Sequence, residues 1–112
     1  MFTLLKVDMS YDLLEKAPKD HHSEEFLQFL RENNEVVEES VWWLVIKNCK
    51  YHNKNRRWFT AFWKPGAEGT DPKGWMPFQA LSFLQTEFSD LNWLIKAPKD
   101  RSVERFHVHL YE

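Results

Sequence analysis

Cysteine is nearly missing from this chain of 112 residues, which holds Cys49 alone. A single thiol excludes an internal disulfide framework and fits a reducing compartment. No apolar run approaches the roughly 20 residues that cross a bilayer as a helix. The opening stretch MFTLLKVDMSYDLLEK has neither the basic start nor the long apolar segment of a secretory leader. A cytoplasmic protein is therefore expected. Also missing are the glycine-rich signatures of phosphate loops and dinucleotide sites, and the nucleophile elbow of serine hydrolases. There is no solenoid period and no low-complexity tract. Glu38 and Glu39 are adjacent on an expected strand, so they point to opposite faces and do not form a carboxylate dyad.

What is present is aromatic and apolar. Hydrophobic residues make up 43% of the chain and aromatics 16%, with six Trp and nine Phe. That is ample for one packed core, and residues 1–112 read as a single domain. The net charge is −2 but unevenly placed. Residues 1–40 hold 4 basic and 10 acidic groups, a net of −6, and residues 41–112 hold 11 and 7, a net of +4. A basic C-terminal part favours an anionic ligand over an apolar one, unless folding mixes the charges over the surface.

Residues 2–7 are expected to form a short strand or an ordered arm. Ser23 is placed to cap a helix with Glu24 and Glu25 in its first turn; Phe26, Leu27 and Leu30 form its apolar stripe, and Asn33-Asn34 ends it. VVEESVWWLVIKN, residues 36–48, reads as a strand. Its VWWLVI part is apolar on both parities and should be covered on both faces. CKYHNKN is a polar turn, and RRWFTAFWK, residues 56–64, is the returning strand. GAEGTDPKG is a loop. Pro77 suits a helix start, and Phe78, Leu81, Leu84 or Gln85, and Phe88 recur at helical spacing to about Ser89. NWLIKA, residues 92–97, is a strand, and Ala97-Pro98-Lys99-Asp100 a turn. The last strand runs from about Ser102 to Tyr111. KAPKD occurs at 16–20 and again at 96–100, as the same turn chemistry used twice. The expected fold class is α+β: an antiparallel sheet of about five strands with two helices on one side.

The chain ends in RSVERFHVHLYE. Alternation puts Phe106, Val108 and Leu110 toward the core and Arg105, His107, His109 and Tyr111 on the other face, with Val103 sharing their parity. Two imidazoles and a guanidinium in one row can bind a phosphate, and a neutral imidazole can act as nucleophile or as general acid and base. An exposed face that merely tolerates such residues is the simpler account of the spacing.

This stretch resembles the signature of the histidine triad nucleotide-binding proteins, Gln-Ser/Thr-Val-x-His-φ-His-φ-His-φ-φ, where φ is apolar. Arg101 falls on the Gln, Ser102 on the Ser/Thr, Val103 on the Val and Arg105 on the first His. His107 and His109 fall on the second and third, with Phe106, Val108 and Leu110 at apolar positions. EVVEESVWWLVIKN and RRWFTAFWKPG are similar to the two strands that precede the family's last helix and hairpin, so the likeness covers about residues 36–112. It implies a HIT-like fold and a nucleotide or other phosphate-bearing ligand, with nucleotidyl hydrolase or transferase chemistry. His107 would be the nucleophile at the α-phosphorus and His109 the phosphate contact or leaving-group assistant. Ser102, Arg101 and Arg105 would be substrate contacts. No metal or cofactor is required. The family commonly pairs into dimers, and Trp42, Trp43 or Trp75 would serve a homodimer contact. Two departures matter. Arg105 replaces the first His, and a guanidinium cannot accept a hydrogen bond to orient an imidazole, though it grips phosphate by two prongs. Lys64-Pro65-Gly66 lacks the family's Pro-Lys-x-His.

Other readings stay open. A non-catalytic module would bind nucleic acid or protein through its basic, aromatic half, with Arg56, Arg57, Trp58, Phe59 and Trp63 stacking bases and meeting phosphates, unless those rings are core. Cys49, His52, His107 and His109 would offer one sulfur and three nitrogens to zinc. His21-His22 reads as two polar residues before a helix.

Overall fold

A computed structural model describes residues 11–48, 56–65 and 78–112. The expected strand over 2–7, the loops at 49–55 and 66–77, and with them Cys49, His52, Trp75 and Pro77, lie outside the described residues. Within them the order is α1 (Tyr11–Lys16), α2 (Glu24–Asn33), β1 (Val36–Glu39), β2 (Trp43–Lys47), β3 (Trp58–Trp63), α3 (Phe78–Glu87), β4 (Asn92–Leu94) and β5 (His107–Tyr111). The class is α+β, with one open five-stranded sheet in the order β1-β2-β3-β5-β4. Every neighbouring pair is antiparallel. Among the described residues no helix is long and apolar enough to cross a membrane.

Local chemistry sets the boundaries. Ser23 caps α2: its hydroxyl accepts from the Phe26 amide at 3.1 Å, and Glu24 and Glu25 follow in the first turn. At the other end Asn33 and Asn34 donate their side-chain amides to the carbonyls of Phe29 and Leu30, at 2.9 and 3.0 Å. These bonds satisfy acceptors that the helix end leaves open.

The expected single strand over 36–48 is two strands. Ser40 breaks it: its hydroxyl accepts from the amides of Trp42 and Trp43 at 3.2 and 3.1 Å, and its own amide donates to the Trp43 carbonyl at 2.8 Å. A serine that satisfies two amides turns the chain without glycine or proline. The returning segment is β1, an edge strand exposed along its whole length and bulged between Val36 and Glu38. The closing strand is also shorter than expected. Residues 101–106 are irregular, and pairing begins at His107. The turn at 97–100 forms as a single 3-10 turn, with the Asp100 amide on the Ala97 carbonyl at 2.9 Å.

Helices cover both faces of the sheet, not one, and the described helices number three. On one face Ala80 and Leu84 of α3, and Phe88 just after it, pack onto Trp43, Val45, Phe59, Ala61, Trp63, Phe106, Val108 and Leu110. On the other α1 and α2 bring Leu13, Leu14, Phe26, Leu27 and Leu30 onto Leu44, Ile46, Phe62 and Val103. The reason lies in β2 and β3. Both are apolar on both parities, so neither face can be left to water. α1 has only six residues and holds through Leu13 and Leu14. Trp43 is fully buried, with its indole N–H on the Ala80 carbonyl at 2.8 Å, so it is a core residue and not a dimer contact.

Candidate functional site

β5 sits between β3 and β4, inside the sheet. Alternation holds as expected: Phe106, Val108 and Leu110 join the cluster under α3. Arg105, His107 and His109 point to the opposite face, which is covered in turn. All three are 1% exposed. The structure therefore brings the expected row together but places it in the interior, not on the floor of an open anion pocket.

Arg105 is consumed by main-chain carbonyls. Its Nε donates to Trp63 at 2.8 Å, Nη2 to Lys64 at 3.0 Å, and Nη1 to His21 at 3.0 Å and Ser23 at 3.3 Å. One guanidinium thus ties the end of β3 to the loop that caps α2. Burial pulls its pKa below the usual guanidinium range, while the charges of Glu24 and Asp20 pull it back. Five donors in a fixed fork suit this clamp, and the same bonds leave it unsuited to gripping a phosphate.

The imidazoles are held in different ways. His107 Nδ1 lies 2.7 Å from the Arg105 carbonyl, and a carbonyl only accepts, so Nδ1 carries the proton. His109 Nδ1 lies 3.3 Å from the indole N–H of Trp58, which only donates, so this Nδ1 is the acceptor. The Thr60 hydroxyl is 3.3 Å from the same nitrogen and accepts from the Asn48 amide at 3.3 Å. The two rings stand perpendicular, 5.2 Å apart, and His107 tilts against Phe62 at 5.1 Å. Trp58, Thr60 and Asn48, all buried, extend the row into a polar seam.

Sequence reasoning missed part of this seam. Thr60 and Trp58 share parity with Phe62 along β3, and Asn48 continues the Leu44, Ile46 parity of β2, so alternation alone could have found them. Nothing local points to His21. It docks from 83 residues away, where its Nδ1 accepts from the Glu104 amide at 3.1 Å and its ring tilts on Phe26 at 4.8 Å. Burial holds the His21 pKa below its usual value, against the opposing pull of Glu104.

Arg101 does not converge with the imidazoles. Its guanidinium lies over Phe106, 5.4 Å from the ring centre, and donates to the carbonyls of Lys96 at 3.0 Å and Glu104 at 3.4 Å. Phe106 belongs to the cluster on the opposite face of the sheet. Ser102 is half-buried in the same irregular segment.

The expected stacking platform for nucleic acid is core. Trp58, Phe59 and Trp63 are 3%, 9% and 1% exposed. Trp58 stacks on Tyr111 at 4.7 Å, and Trp63 on Trp42 at 5.7 Å. Arg57 pairs with Asp90 at 2.5 Å and approaches Glu112 at 3.6 Å, while exposed Arg56 lies over the Trp58 ring. Among the described residues no three His, Cys, Asp or Glu side chains gather as a metal would require.

Exposed apolar side chains lie elsewhere: Val36 and Val37 on β1 at 38% and 39%, Ile95 after β4 at 50%, and a group at one end of the sheet. Val41 and Phe78 are each 75% exposed, and Leu81 is 36% exposed. Val41 lies in the turn between β1 and β2. The bond from Trp43 to the Ala80 carbonyl sets the first turn of α3, with Phe78 and Leu81, at that same end of the sheet. Comparison with protein-family models, with curated proteins and with solved structures gave no match.

Proposed function

We propose that this chain is a non-catalytic protein-interaction module. The observation that carries the reading is the exposed pair Val41 and Phe78, with Leu81 and half-buried Trp42 at the same end of the sheet. Large side chains left in water at one place on a small domain mark a contact surface more often than chance exposure does. The imidazoles and Arg105 speak for the same reading, since their bonds serve to hold strands and loops together. A photo-crosslinking residue placed at 41 or 78, with position 87 as control, should trap discrete protein partners in cells at the first two positions only. With the crosslinker at 78, Val41→Asp should abolish those products, and with it at 41, Phe78→Asp should do the same, each leaving the melting temperature within about 2 °C, as expected of surface changes. Equal labelling at position 87 would refute the surface.

A second reading keeps the histidine triad likeness, and the opposite tautomers favour it. In neutral rings, protonated Nδ1 in His107 leaves the lone pair on Nε2, while the acceptor Nδ1 in His109 leaves the proton on Nε2. A nucleophile beside a proton donor is what phosphoryl or nucleotidyl transfer needs. On this reading the ligand is a nucleotide: His107 Nε2 attacks its α-phosphorus, the bond from that phosphorus to the leaving group breaks, and the leaving group takes the proton of His109 Nε2. Turnover of a nucleoside phosphoramidate or dinucleotide by the unmutated protein, lost in a folded His107→Ala variant, would establish it and reject the non-catalytic reading.

A further inference from the structure

A second surface lies on the other face of the sheet from Val41 and Phe78. Between α1 and α2 runs an open groove of about 400 Å³. Its floor is apolar, formed by Ala17, Pro18 and Phe29, and its α2 wall carries Glu25, Gln28 and Glu32. With Phe29 these α2 positions, 25, 28, 29 and 32, are spaced by three, one and three residues, so they form one stripe on the helix. Phe29 is half-buried and packs at the margin of the cluster under α1 and α2. The opposite stripe, Phe26, Leu27 and Leu30, is the one spent on that core.

The negative charge of this groove is offset only in part. The cation nearest Glu32 on its own helix is Arg31; it holds Glu39 through two bonds of 3.0 and 2.7 Å and donates a third, of 3.2 Å, to the Gln28 side-chain oxygen in the groove wall. Lys64 reinforces Glu39, also at 2.7 Å. Glu32 accepts only the Gln28 amide, at 3.1 Å, among the described contacts. Lys16 is the one basic residue in the lining, against Glu25 and Glu32; exposed Glu15 and Glu24, and exposed Lys19, lie close by in sequence. The groove therefore combines an apolar floor with two carboxylates seven residues apart on α2, about 10 Å at the helical rise.

We propose that this groove docks a basic helical segment of a partner protein. An apolar side chain of the segment packs on Phe29, Ala17 and Pro18. Two Lys or Arg side chains, one on either side of it and two turns apart, meet Glu25 and Glu32. Charge complementarity selects this occupant. An acidic or purely apolar segment would meet two carboxylates against a single lining cation, and a phosphate-bearing ligand would be disfavoured. This inference names a second surface for the interaction module and rests on that reading only for the protein's overall role.

The test uses a labelled 16-residue alanine-based helix with two lysines seven residues apart and a leucine between them. Its counterpart has glutamate at both lysine positions. Fluorescence anisotropy with the full chain at 50 mM salt should show saturable binding of the lysine helix and none of the glutamate helix. Glu25→Lys with Glu32→Lys should weaken the lysine helix at least tenfold and create binding of the glutamate helix. Gln28 and Phe29 stay in place, and both glutamates are exposed, so the variant keeps its fold by circular dichroism. Absence of lysine-helix binding, or binding indifferent to the charge reversal, overturns the proposal. A dimer in sedimentation that the same reversal dissolves would also overturn it, in favour of a second copy as occupant. Nucleotide turnover or loss of crosslinking at position 78 would defeat the functional reading above without touching this result, so the two fail separately.

Discussion

Replacing Arg105 with Met separates a clamp from a ligand contact. Met keeps the length and apolar stem but removes every donor. Four carbonyls lose a partner: Trp63 in a buried bond, and His21, Ser23 and Lys64 in partly buried ones. An orphaned buried acceptor costs about 1–3 kcal/mol, and we take about 0.5 kcal/mol for each of the three that water can reach. Those losses total roughly 3–4 kcal/mol, and relief from burying a guanidinium returns part of it, leaving a net loss of about 2–3 kcal/mol. Urea unfolding followed by tryptophan fluorescence reads this directly. With a slope of ~1–3 kcal/mol/M the midpoint should fall by about 1–2 M at unchanged slope. Arg105→Lys should fall in between, because one ammonium cannot span four carbonyls on two segments. A midpoint within ~0.2 M of the parent, less than about 0.5 kcal/mol, would refute the clamp and return Arg105 to the role of an available cation.

Further measurements probe the same architecture. Nitrogen-15 correlation spectra at pH 8 should show His107 protonated at Nδ1 and His109 at Nε2; matching tautomers in both rings would contradict the seam. Trp58→Phe removes the donor to His109 and should cost about 1 kcal/mol in urea unfolding, with no such loss in Trp58→Phe on a His109→Phe background. Glu39 is held at about 2 because Arg31, and then Lys64, favour its carboxylate. Its folded pKa lies below the unfolded value of 4.5, so its contribution is complete above pH 4.5 and disappears as pH falls toward 2. At this exposed site that contribution is at most ~1 kcal/mol, and Glu39→Gln should flatten the acid limb of the stability curve by that amount. His21 has its pKa lowered by burial, so the unfolded chain takes up a proton first as pH drops below 6.5. Melting temperature should therefore fall on acidification from pH 7, and less so in His21→Gln; an unchanged pH slope in that variant would rule His21 out as the titrating group.

The helices that follow simple capping and periodicity rules were legible. Ser23, the two glutamates after it and the Phe26, Leu27, Leu30 stripe specify α2 before any tertiary contact exists. The apolar runs of β2 and β3 announced that both faces of the central strands need cover, yet the number and sides of the helices did not follow locally. α1 is too short to show a periodic signal, and Ser40 turns the chain by hydroxyl bonds that no glycine or proline advertises. The alternation of β5 was legible to the residue, and its burial was not. An Arg-x-His-x-His row reads the same on an exposed face as on a covered one. What decides is whether distant segments, here His21 and Ser23, supply the acceptors that let Arg105 be buried. Such long-range pairing leaves no mark within the motif itself.

That covering bears on the choice between the two functions. His107 packs on Phe62, and Phe62 lies edge-on to Phe26 of α2 at 6.3 Å. Lifting α2 far enough to admit a phosphate beside His107 exposes Phe26, Leu27 and Leu30, each at most 1% exposed in the closed form. At about 1.5–3 kcal/mol for each side chain this costs roughly 5–9 kcal/mol, before the Arg105 clamp to His21 and Ser23 is broken. A domain of this size is stable by only about 5–15 kcal/mol, so such an opening approaches unfolding. A ligand that selected the open form would have its affinity reduced by the small fraction of open molecules, roughly 10⁴-fold or more at 5.5 kcal/mol. Catalysis at His107 thus requires a ligand of intrinsic affinity far beyond what one nucleotide phosphate supplies. Contact through Val41 and Phe78 requires no opening at all.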